Sequence, residues 1–194
     1  MRASFAVLAL LAAAGCATGC ATGDDAVARG GQFEFVSPGG QTKIFYDPPA
    51  DRGTAGGISG ESLLEPGRTI GIDDFAGQVV VINLWGSWCG PCRAEADDLQ
   101  RVADATASSG VTVLGVDLRD DRTAAADFVR DRGLRWPSIY DPPGRSLLGL
   151  RGYPRSVIPS TIVLDRQHRV AAVFLTELLD ADLLPVVQRI AAEP

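Results

Sequence analysis

The segment that most limits how this chain can fold is Val79-Val80-Val81-Ile82-Asn83-Leu84-Trp85, a nearly unbroken apolar and β-branched run. Such a run has no polar face to offer water, so it reads as a strand buried on both sides, as in an α/β sheet. A short stretch of Gly and Ser follows it. Residues 92–108 then switch to helical spacing, with Leu99 and Val102 on one side and Asp97, Asp98 and Arg101 on the other. Residues 111–117 form a second buried strand, and residues 123–132 a second helix with Phe128 and Val129 inward and Gly133 as its stop. Residues 160–165 and 169–175 read as two further strands joined tightly through Arg166-Gln167-His168. The last helix, over about 180–192, spaces Leu183, Leu184, Val187 and Ile190 for a core; Pro185 fits there only near the first turn. This order of elements defines an α/β fold with a central mixed sheet flanked by helices.

Upstream the pattern is less regular. Residues 32–36 and 43–46 are strand-like and enclose Ser37-Pro38-Gly39-Gly40, which is turn chemistry, so an N-terminal β-hairpin is expected. Residues 47–67, rich in Gly and Pro, read as an irregular surface loop, 68–72 as an edge strand and 73–77 as a helical turn. Trp85, Trp136, Tyr140 and the Pro142-Pro143 segment read as core and loop, and Asp120-Asp121-Arg122 as a solvated turn. The chain thus divides into 1–15, a signal segment; 16–31, a tether; 32–67, the hairpin and loop; and 68–194, the main domain. With 194 residues and 46% hydrophobic content it can bury a core without staples. A net charge of -6 argues against nucleic acid as a partner.

Four cysteines fall in two groups, Cys16 with Cys20 and Cys89 with Cys92. Arg2 and the apolar residues 3–14 make a run too short to cross ~30 Å of hydrocarbon, which takes about 20 residues, but suited to the core of a signal peptide. Its end, Ala13-Ala14-Gly15-Cys16, resembles the bacterial lipobox, which implies cleavage before Cys16 and a lipid anchor on it. Ala13 departs from that pattern, where Leu is commoner, and Cys20, in a repeated Cys-Ala-Thr-Gly, offers a second site. The plainer reading is a secretory signal with two incidental cysteines. Both readings put the mature chain outside the cytoplasm, where disulfides persist.

A lone Cys-x-x-Cys is a weak signal, compatible with zinc, a static disulfide or redox chemistry. A structural zinc site needs four ligands. His168 is the single histidine, and Cys16 and Cys20 belong to the leader, so no metal is expected. The static disulfide is disfavoured by the flanking residues: Trp88-Cys89-Gly90-Pro91-Cys92, set between a buried strand and a helix, closely resembles the thioredoxin superfamily. The resemblance extends over about residues 68–192. With an export signal and an N-terminal extension, the chain is similar to the ResA/TlpA-type branch of membrane-anchored thiol-disulfide oxidoreductases.

That resemblance implies a thioredoxin-like fold and a working dithiol. Cys89, at a helix N-terminus, would be the attacking thiolate, its pKa drawn from ~8.5 towards ~7, and Cys92, one turn in, the shielded resolving thiol. Pro91 suits the first helical turn. Pro159 matches the family's cis-proline beside the dithiol, and the backbone of Ile158 before it would pair with an extended substrate. Trp88, Gly90 and Pro91 would meet that substrate. Glu95 matches a glutamate thought to move protons at the cysteines in this branch; the plainer reading is a first-turn acid complementing the helix dipole. Asn83 stands where cytoplasmic thioredoxins have a buried Asp, which leaves Glu95 the better proton carrier. Asp97 departs from the Pro often found in the branch.

The implied function is an extracytoplasmic reductant of exported disulfide proteins, such as apocytochrome c in cytochrome c maturation, recharged by a membrane electron donor and needing no cofactor. The alternatives are a general oxidant or isomerase of exported proteins and a peroxiredoxin-like peroxidase. The last would want Thr three residues before its reactive cysteine, where Gly86 stands.

Overall fold

The computed structural model describes residues 31–36 and 38–194; the signal segment, Cys16, Cys20 and all but the last residue of the tether lie outside the described residues. The strands are β1 (Lys43–Phe45), β2 (Ser59–Glu61), β3 (Thr69–Gly71), β4 (Val79–Trp85), β5 (Val111–Asp117), β6 (Ser138–Tyr140), β7 (Ser160–Leu164) and β8 (Val170–Phe174). The α-helices are α1 (Gly90–Thr106), α2 (Arg122–Arg132) and α3 (Asp180–Ala191). Six strands form one mixed sheet in the order β1-β8-β7-β4-β5-β6. The apolar run predicted to be buried on both sides is β4, at the middle of that sheet, parallel to β5 and antiparallel to β7.

All seven residues of β4 are buried. Val79, Val81 and Trp85 face one core with Leu99, Val102, Phe128, Val129, Leu183, Val187 and Ile190, so the three helices share that side of the sheet. Val80, Ile82 and Leu84 face a second core, closed by Phe33, Phe35, Ile58, Leu147 and Tyr153 from irregular segments and short 3₁₀ turns. Gly133 ends α2 with φ +63°, a left-handed position that glycine occupies without a Cβ clash. Pro185 lies well inside α3, beyond its first turn, and the carbonyl it leaves unpaired, that of Ala181, is on the exposed side, where water can serve it.

The expected N-terminal hairpin is corrected. Among the described residues, 32–36 do not pair with 43–46. Lys43–Phe45 instead adds to the sheet edge against β8, Ile44 opposite Val173. Phe33 and Phe35 donate backbone N–H groups to Thr54 and Arg151, at 2.9 and 2.8 Å, and bury their rings. A two-stranded hairpin is marginal alone, whereas the open edge of a packed sheet and an apolar floor reward the separated arrangement. The segment read as loop at 47–67 holds β2, paired with β3 as a small separate sheet. It also carries Arg52, which is fully buried.

Candidate active site

Cys89 caps the N-terminus of α1 and Cys92 lies in its first turn; a disulfide joins them, with Cα atoms 5.3 Å apart. The Cys92 backbone N–H points at Cys89 Sγ, 3.2 Å away. In the reduced protein this donor and the positive end of the helix dipole both favour negative charge on Cys89 sulfur rather than on Cys92. Exposure does not separate the two, at 4% and 3%; position on the helix does. Gly90 and Pro91 between them are exposed, as is Trp88 beside them.

The loop from β4 into α1 is held from the neighbouring strand. Ser87 donates its backbone N–H and its hydroxyl to the carboxylate of Asp120, just after β5. Trp88 Nε1 donates to Leu118 O at 3.1 Å, and the guanidinium of Arg119 covers the indole at 5.0 Å. A Cβ on Gly86 would stand 2.5 Å from Trp88 Nε1, so only glycine lets the indole lie across the loop. The residues read as a solvated turn are therefore part of the site: Asp120 pins Ser87, Asp121 caps α2 through Thr123 and Ala124, and Arg122 donates to the carbonyls of Ser62 and Leu63. Trp85 is core as expected, edge-on to Trp136 at 5.9 Å.

Glu95 is buried at 1% exposure, one turn beyond Cys92 on the inward face of α1. Its carboxyl accepts from Asn83 Nδ2 at 2.8 Å and from the backbone N–H of Leu178 at 3.0 Å. Burial pushes it up to about 7, against the pull of those two hydrogen bonds. Asn83, on β4, and Glu95, on the inward face of the dithiol helix, are thus brought into contact. A dipole-complementing surface acid would be solvated, and this one is not.

The Ile158–Pro159 peptide is cis. Ser160, the next residue, lies opposite Leu84 in the β7–β4 pairing, so Pro159 is at the sheet end from which β4 runs into the dithiol loop. Ile158 packs on the core cluster that includes Cys89 and Cys92. The strand read as buried at 111–117 ends in a second buried acid. Asp117, fully buried in β5 beside Trp85, has no hydrogen-bond partner for either oxygen among the described residues, and burial and then the charge of Asp120 push it up to about 8, opposed by Arg122. A lone acid at the end of an apolar strand carries no sequence signal of a place beside the dithiol loop.

A helix-capping cysteine, its partner in the first turn and the central strand that delivers them define a thiol-disulfide oxidoreductase of thioredoxin fold, and known proteins agree. The sequence profile of the AhpC/TSA family matches residues 61–173, and the chain belongs to that family. It is 31% identical to the thiol:disulfide interchange protein DsbE of Pseudomonas aeruginosa over 140 residues, 69% of this chain and 73% of that protein. It is 26% identical over 125 residues to the thiol-disulfide oxidoreductase ResA of Bacillus subtilis, covering 63% and 68% of the two chains. The crystal structure of a secreted thiol-disulfide isomerase from Corynebacterium glutamicum is similar at 52% identity and a TM-score of 0.81, over 84% of this chain and all of that one. A DsbF homologue from Corynebacterium diphtheriae is similar at 46% and 0.77, over 81% and 99%.

Proposed function

We propose that the protein works outside the cytoplasm as a reductant of disulfides in exported proteins, with apocytochrome c as a substrate. In that reading the Cys89 thiolate attacks a substrate disulfide, forming a mixed disulfide and releasing one substrate thiolate. Cys92 then loses its proton and attacks Cys89 sulfur, closing the Cys89–Cys92 disulfide and releasing the second substrate thiolate. Two electrons pass to the substrate, and a membrane dithiol donor restores the pair. The observation that carries the reading is Glu95, a buried acid one turn beyond Cys92 on the same helix, pushed up by burial to about 7, so that it can accept the Cys92 proton. Pro159 and Ile158 offer the docking backbone, with Trp88, Gly90 and Pro91 on the exposed side. The relatives named thiol:disulfide interchange protein DsbE and thiol-disulfide oxidoreductase ResA support dithiol–disulfide exchange at this pair. Cys16 carries the lipid anchor, so Cys16→Ser releases the protein from the membrane fraction.

Insulin reduction by the reduced protein tests the chemistry, and Cys89→Ala abolishes it. A Cys92→Ala variant expressed in cells traps mixed disulfides; finding apocytochrome c among them supports the pathway, and its consistent absence overturns it. The relative described as a secreted isomerase favours a second reading, rearrangement of wrong disulfides in exported proteins. Reactivation of scrambled ribonuclease without added reductant supports that one instead.

A further inference from the structure

Beside the dithiol loop lies a cleft of about 390 Å³ lined by Leu118, Arg119, Pro142, Pro143, Tyr153 and Arg155 among others. Its rim is continuous with the docking elements. Trp88 bonds to Leu118 O, Arg119 covers Trp88, and Arg119 Nη2 reaches across to Ser156 O at 3.3 Å, two residues before Ile158. The cleft therefore sits between the residue preceding Cys89 and the backbone preceding Pro159.

Its charge runs against that of the molecule. In a chain of net charge -6 the cleft lining contains two arginines and no acid. Among the described residues neither Arg119 nor Arg155 has a carboxylate partner: the first donates to Ser156 O and the second to Gly144 O at 3.2 Å. A guanidinium offers five donors, so most of their capacity is free. Arg119 also holds φ +54°, a left-handed conformation that costs a non-glycine residue stability.

We propose that this cleft is an acidic-residue subsite, in which Arg119 and Arg155 take the carboxylate of an Asp or Glu close to the cysteine of the substrate polypeptide. A planar, permanently charged fork matches a carboxylate in two-point geometry, and the apolar walls from Leu118 and Pro142 reduce the competing hydration. The subsite rests on the disulfide-reductase reading above and adds to it a charge rule for substrates: segments with acid beside the cysteine are preferred, and basic segments are rejected.

Three disulfide-linked peptides, identical but for Glu, Gln or Lys at the two residues on each side of the cysteine, test it with the reduced full-length protein. The acidic peptide is expected to be reduced with a kcat/KM about tenfold above the Lys peptide at low ionic strength, the difference lying in KM and shrinking as salt is raised. Within an Arg119→Gln/Arg155→Gln variant the acid-to-Lys ratio falls towards about one; being a ratio within one protein, it is insensitive to a general loss of activity. Arg155→Gln alone, which leaves the Trp88 contact intact, lowers the ratio part of the way and serves if the double variant melts early. Equal rates for the three peptides overturn the subsite and leave the reductase standing. No reduction of any peptide overturns the reductase reading and the subsite with it.

Discussion

Glu95 and Asp117 keep protons that the same residues lose in the unfolded chain. Glu95 rises from 4.5 to about 7 and Asp117 from 3.8 to about 8, in both cases chiefly through burial. An acid raised in this way adds stability that is full below its unfolded value and is lost as pH rises through its folded value. The thermal midpoint of the oxidised protein should therefore fall between about pH 5 and pH 8. Asp117→Asn should flatten that slope and raise the midpoint at pH 8, by ~1–2 kcal/mol of stability, with little gain at pH 4. An equal change at both pH values would contradict the assignment. Glu95→Gln tests chemistry as well as stability: it should lower kcat for insulin reduction about 100-fold and remove the inflection near pH 7, with a smaller change in KM. The residues that bear these predictions were unequally legible. Cys89, Cys92 and Glu95 lie on one stretch of helix, so their spacing alone groups them. Asp120 and Arg119 become neighbours of the dithiol only because β5 lies parallel to β4, and Asp120-Asp121-Arg122 has the composition of any wet turn.

Among the elements, the long runs were legible and the short ones were not. The strands at 79–85 and 111–117 and the helices at 90–106 and 122–132 match their expected positions within two residues because each carries a full period of burial. The strand Ser59–Glu61 has no strand-forming side chain and is ordered by its pairing with Thr69–Gly71, a tertiary cause that composition cannot display. The pairing of β1 with β8 brings together segments far apart in the chain, which local turn chemistry cannot anticipate. The loop 86–88 and the N-terminus of α2 share one short turn, and that makes two separable predictions. Asp120→Ala removes both acceptors of Ser87 and should cost ~1–3 kcal/mol, with faster hydrogen exchange at the amides of Ser87 and Trp88. Asp121→Ala removes the cap of α2 and should cost about 1 kcal/mol while leaving exchange in the dithiol loop unaltered.

Across the whole molecule, one side chain joins parts that the sheet does not. Arg52, with no exposed side-chain surface, meets carboxylates of Asp47, Asp165 and Glu193 and donates to Tyr46 O. It thereby ties the loop before β2, the turn after β7 and the tail after α3. Arg52→Met should lower stability by ~3–5 kcal/mol, because Asp165, at 3% side-chain exposure, keeps only Arg169 as a counter-charge among the described residues. Pairing it with Asp165→Leu should recover part of the loss, as urea unfolding of the two variants would show. The cluster also bears on the order in which the molecule comes into being. A ribosome makes Glu193 141 residues after Arg52. Until then the arginine lacks one of its three carboxylates, and taking its charge out of water costs more. The full stabilisation of that seam therefore comes only after Cys89 and Cys92 have both been made.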